Sequence, residues 1–153
     1  MSRSSTLSNF DLKKFCSKQS LNFSLITLSD LNSSDNIPKN SFIFTGNNSD
    51  SFNNSYTNHW LFLYGNSLFD SYSYFSHYTL PDWIKPVVTH PKVLQEFGSN
   101  VCGEYCCAFY WFIHNIEKDS ANLGSHFVNY FQLGNDRAEN DKKINEWFNN
   151  ITK

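Results

Sequence analysis

Cys102 follows the turn-forming run Gly98-Ser99-Asn100 and opens the apolar run CGEYCCAFYWFIHNI. A cysteine at a helix start lies at the positive end of the helix dipole, which favours the nucleophilic thiolate. Cys106 and Cys107 fall one turn further in, where that field fades and core packing is the simpler expectation. His59 opens the run HWLFLY and carries the side chain best suited to take a thiol proton near neutral pH. Asp70 interrupts the run SLFDSY, beyond the tight-turn pair Gly65-Asn66. In a hairpin around that pair, opposed residue numbers sum to about 131, so Leu61 faces Asp70 and His59 lies diagonal to it. A carboxylate placed there would orient the imidazole and support its charged form. Gln95 stands seven residues before Cys102. Its amide and the Cys102 N–H together would make an oxyanion hole. Taken singly, these are a buried thiol, a strand-end histidine, a surface carboxylate and an ordinary glutamine. Taken together, they supply base, orienter, oxyanion donor and nucleophile in chain order.

The elements that must hold these residues read as an α+β domain. Ser8 and Asp11 form a capping-box pattern ahead of an amphipathic helix over residues 8–18. Short strands are expected at 23–28 and 41–45, then the hairpin strands 59–64, central and buried, and 67–72. LPDWIKP is expected to hold one helical turn closed by Pro86, and residues 91–97 a short strand. Residues 102–116 are apolar almost all round, the signature of a helix buried on most faces. Gly124-Ser125 is read as the cap of a helix over 126–133. Asn135 or Asp136 caps a last helix with Ile144, Trp147, Phe148 and Ile151 on one face. The expected architecture is a small mixed sheet packed on the nucleophile helix, with flanking helices. All 153 residues are expected to form one domain, with the polar, low-complexity run 46–58 as a mobile loop within it.

Composition narrows the functions open to such a chain. Its 20 Asn and 21 Ser supply most of the polarity, and charged residues make up only 17%. The net charge is −2 and no basic run exceeds a Lys-Lys pair, so tight nucleic-acid binding is not expected. No run of 18 apolar residues suggests a membrane span, and MSRSSTLSNF lacks a signal-peptide core. In a reducing compartment Cys16, Cys102, Cys106 and Cys107 are expected to be free thiols. No C-x-x-C pair is present, and neither a metal site nor a cofactor is expected. His77, His90, His114 and His126 are read as structural or surface residues, and Trp83, Trp111 and Trp147 as core anchors.

The run LQEFGSNVCGEYCCAF resembles the nucleophile region of the adenovirus endopeptidase (adenain) family and the Gln…Cys-Gly segment of the SUMO- and ubiquitin-like-protein proteases. In that clan a Gln precedes the catalytic Cys, Gly follows it, and a second Cys stands four residues on, doubled in adenain as Cys106-Cys107 is here. The pair His59-Trp60 matches the family's base and following Trp, and Leu68 to Asp70 matches the segment with its acid. The acid here is Asp, as in the SUMO-protease branch, and its spacing of eleven residues from His59 implies a trimmed hairpin. The resemblance covers Phe10 to about Ile116.

This resemblance implies a thiol protease in which Cys102 attacks, His59 exchanges the proton, Asp70 orients His59, and Gln95 with the Cys102 N–H holds the oxyanion. It implies cleavage near small residues, often after Gly, in a groove walled by Trp60. The short Asn-rich chain and doubled cysteine favour a small viral branch, such as that of virophages or Maverick-type elements. Its protein substrates would be capsid or core precursors, cut during maturation in the virion, the host-cell cytoplasm or a virus factory. The family's peptide activator is not carried over to this chain. The alternatives are a deconjugase for ubiquitin-like modifiers and a non-catalytic interaction domain.

Overall fold

A computed structural model describes residues 6–33, 37–45, 59–117 and 121–153. The expected polar loop at 46–58 lies outside them. Helix α1 (Asn9–Lys18) starts as the capping box requires: the Ser8 hydroxyl accepts from the Asp11 N–H, and the Asp11 carboxylate accepts from the Ser8 N–H. Five strands follow, β1 (Leu25–Ile26), β2 (Asn40–Phe44), β3 (Trp60–Tyr64), β4 (Ser67–Phe69) and β5 (Lys85–Pro86). They form one mixed sheet in the order β1-β2-β3-β4-β5, parallel at both outer pairs and antiparallel at the two inner ones. Helices α2 (Cys102–Asn115), α3 (Leu123–Phe131) and α4 (Arg137–Ile151) complete a small α+β domain.

The strand period of two divides the apolar residues between two layers. Phe42, Trp60, Phe62 and Phe69 join the cluster built around α2, with Phe69 stacked on Phe109 at 4.5 Å between ring centroids. Ile43, Leu61, Leu63 and Leu68 join a second cluster with Leu31 and Ile84. Helix α2 is buried along nearly its whole length, as its all-round apolar sequence requires. Among the described residues, no helix is long and apolar enough to cross a membrane.

Several expected elements are shorter or differently placed. The hairpin pairs Phe62 with Phe69 and Tyr64 with Ser67, the predicted register, but β4 stops one residue before Asp70. The Asp70 carboxylate takes the N–H groups of Tyr72 and Tyr74, which turns the chain out of the ladder. The strand expected at 91–97 is a loop. The N–H groups of Leu94 and Gln95 both donate to Ser71 O, whereas consecutive strand N–H groups point opposite ways. LPDWIKP holds a single turn, closed by an Ile84 N–H to Pro81 O bond, and Pro86 belongs to the short strand β5. Helix α3 begins three residues earlier than expected, so Gly124 lies in its first turn. A Cβ there would stand 2.0 Å from Val88 O, so the glycine serves close packing. Asp136 caps α4, its side chain accepting from the Glu139 N–H.

Candidate active site

Three chain segments converge at the start of α2. Cys102 is the first residue of that helix, and Val101 gives it no side-chain cap. A helix start without a cap presents its first N–H groups to other acceptors. His59 immediately precedes β3, and the adjoining Trp60 N–H donates to Cys102 Sγ at 3.4 Å. Asp70 follows β4 and accepts from His59 Nε2 at 2.6 Å. Hairpin register and strand termination together put the imidazole against the carboxylate.

The surroundings of Asp70 suit it to orient His59. Oδ1 also accepts from the Tyr72 N–H at 2.8 Å, and Oδ2 from the Tyr74 N–H at 2.9 Å. Both oxygens are thereby fixed by backbone. Tyr72 lies across the histidine ring at 4.8 Å and stacks on Tyr74 at 4.9 Å. Its hydroxyl lies 3.1 Å from both Glu96 O and Ser99 O. Burial keeps that phenol neutral by raising its pKa.

Burial by itself would lower the His59 pKa, but the charge of Asp70 and then that of Cys102 outweigh it, and the pKa rises to about 10. Nε2 is committed to Asp70, while Nδ1 is buried without a hydrogen bond of full geometry. Nδ1 is therefore the ring nitrogen left to exchange a proton with Cys102, the other side chain acting on the ring. The arrangement can deprotonate a thiol and hold the proton on an imidazolium braced by a carboxylate.

Gln95 has a different set of partners from those expected. Its carbonyl accepts from the Ser71 hydroxyl at 2.5 Å. Its amide donates toward Ser99 O and Ser99 Oγ at 3.1 and 3.0 Å. In this state the amide hydrogens are engaged within the chain, and Gln95 ties the loop before Cys102 to the residue beside Asp70. Gly98, at φ 86°, gives that loop the tight turn its sequence suggested.

Trp60 also differs from its expected place. Trp60 is 2% exposed and its indole donates to Leu7 O at 2.8 Å, so the ring is a core element, and it is the backbone N–H that bonds to the thiol. Leu7 lies against the helix start as well. A Cβ at Gly103 would stand 3.0 Å from Leu7 Cβ, so the glycine after the cysteine makes room for this segment. With His59 fully buried and Cys102 2% exposed, the centre is closed in this structure. Sequence reasoning did not single out Leu7, Ser71, Tyr72 or Ser99. Only the Ser-Tyr-Ser-Tyr run after Asp70 carried a signal, as aromatic side chains beside an acid.

All four cysteines are free. Among the described residues, no group of three or more His, Cys, Asp or Glu side chains could hold a metal ion. Comparison with protein-family models, with curated proteins and with solved structures finds no match for this chain.

Proposed function

We propose that this chain is a cysteine endopeptidase of the adenain and SUMO-protease type. The observation that carries this reading is the 2.6 Å contact of His59 with Asp70 beside Cys102, the residues that the resemblance names. Cys102 Sγ attacks the scissile carbonyl carbon as its proton passes to His59 Nδ1. The Cys102 N–H, at the uncapped start of α2, and the Gln95 amide then meet the developing oxyanion, as the resemblance implies. His59 then gives the proton to the leaving amine as the C–N bond breaks and a thioester remains. Water, deprotonated by His59, attacks the thioester, releases the acid product and restores the thiol.

The closed centre implies that substrate binding displaces local chain. The resemblance directs the substrate reading to viral capsid or core precursors, cut after small residues. The test is incubation of the full chain with a peptide library and mass spectrometry of the products. Wild type is expected to yield fragments ending in a small residue, and Cys102→Ala none, with an unchanged circular-dichroism spectrum. Equal cleavage by both would defeat the assignment. Cleavage confined to ubiquitin-like fusion proteins would move the substrate class to conjugates.

A further inference from the structure

Helix α4 lies outside the stretch that carries the resemblance, yet it holds both peptide units flanking Gln95. Asn140, 1% exposed, donates through Nδ2 to Leu94 O at 3.0 Å. The same amide is locked in orientation by Gly134, whose N–H donates to Asn140 Oδ1 and whose carbonyl accepts from Nδ2, both at 2.8 Å. Asp141 accepts from the Glu96 N–H, with both carboxylate oxygens at 3.3 Å. It also accepts from the Tyr105 hydroxyl at 2.8 Å, and that hydroxyl stands 3.3 Å from Leu94 O. Tyr105 is on α2, three residues after Cys102.

One carboxylate therefore joins the nucleophile helix, the Gln95 loop and α4. Burial raises its pKa, against hydrogen bonds from the Tyr105 and Ser99 hydroxyls and the Glu96 N–H. Ser99 is the same residue that receives the Gln95 amide. The loop's other anchors come from the segment after β4: its Leu94 and Gln95 N–H groups donate to Ser71 O, and the Tyr72 hydroxyl lies 3.1 Å from Glu96 O and Ser99 O.

We infer that Asn140 and Asp141 are positioning residues that set where Gln95 and Ser99 stand relative to the start of α2. This rests on the endopeptidase reading, since it concerns the same centre. Without the clamp, the peptide units on either side of Gln95 lose their partners on α4. A displacement of about 1 Å at a reacting centre costs on the order of 10²-fold in rate. Leu94, Gln95 and Glu96 would move together, so the defect would fall on oxyanion stabilisation and leave thiol reactivity alone.

The experiment compares two probes on the full chain. A peptidyl-Gly-Gly aldehyde forms a thiohemiacetal whose oxygen occupies the oxyanion position, whereas iodoacetamide alkylates Cys102 without creating one. Asp141→Ala is expected to weaken aldehyde binding about 10- to 100-fold, with alkylation within about twofold of wild type. Asp141→Asn, which keeps one acceptor oxygen, is expected to fall between them. Adding Gln95→Ala to Asp141→Ala is expected to cost less than Gln95→Ala costs alone, because the two act through one contact. Unchanged aldehyde binding in Asp141→Ala overturns the inference, and so does a parallel loss with both probes, which marks a purely structural residue. If the wild-type chain does not bind the aldehyde, the endopeptidase reading fails, and this inference with it.

Discussion

Cys102 and Cys106 lie one turn apart on α2, both almost without solvent contact, in chemically different places. Around Cys106 and Cys107, burial pushes the thiols well above their ordinary pKa, and nearby negative groups add to the effect. Burial alone raises Cys16, to about 12. No imidazole or N–H donor is among the causes acting on these three. At Cys102 the N-terminal end of β3 brings both, the Trp60 N–H to the sulfur and the His59 ring beside it. Burial and helix membership are shared by Cys102, Cys106 and Cys107, so neither distinguishes the proposed nucleophile. The difference comes from a second element aimed at the first residue of the helix.

The largest effect should come from erasing that difference. His59→Ala is expected to remove nearly all turnover, about 10⁴-fold or more, and to slow alkylation of Cys102 to that of an ordinary buried thiol. Alkylation at the wild-type rate in this variant would show that Cys102 owes nothing to the imidazole. Asp70→Asn should cost less, because the acid orients His59 and exchanges no proton with substrate. A Michaelis–Menten series should show the loss mainly in kcat, with the pH profile displaced to lower pH as the imidazole loses its negative neighbour. An unaltered profile would assign the orienting role to another carboxylate.

Smaller effects test the other side of the comparison. Cys106→Ala and Cys107→Ala should keep the wild-type rate and lose about 1–3 kcal/mol of stability in urea titration, as buried side chains removed from a packed helix do. A rate loss without a stability loss would place those thiols in the chemistry. Stability should also slope with pH. His59 binds its proton more tightly folded, at about 10, than unfolded, near 6.5. Its contribution is therefore complete below about pH 6.5 and is lost as pH rises through about 10. Urea midpoints measured across that window should decline more steeply for wild type than for His59→Ala.

Much of this arrangement is readable before folding, because it depends on neighbours in sequence. The α1 capping box spans four residues, and the hairpin register follows from Gly65-Asn66 and strand alternation. That register sets His59 diagonal to Asp70, and the end of β4 at Phe69 completes the contact. The apolar character of α2 on all sides announces its burial, and its first residue is the proposed nucleophile.

What the pattern misread has a common cause. Residues 91–97 have the apolar content of a strand, but their N–H groups answer to Ser71 O and their flanks to α4. Trp60 was expected to wall a groove because it adjoins His59. Its observed partner, Leu7 O, lies 53 residues before it, and the Gln95 carbonyl meets Ser71, 24 residues before Gln95. Sequence patterning determines period, caps and tight turns, since these are settled by bonds between near neighbours. Which buried polar group meets which partner is decided only when distant segments pack. Each donor must then find an acceptor, and the choice among acceptors belongs to the whole fold.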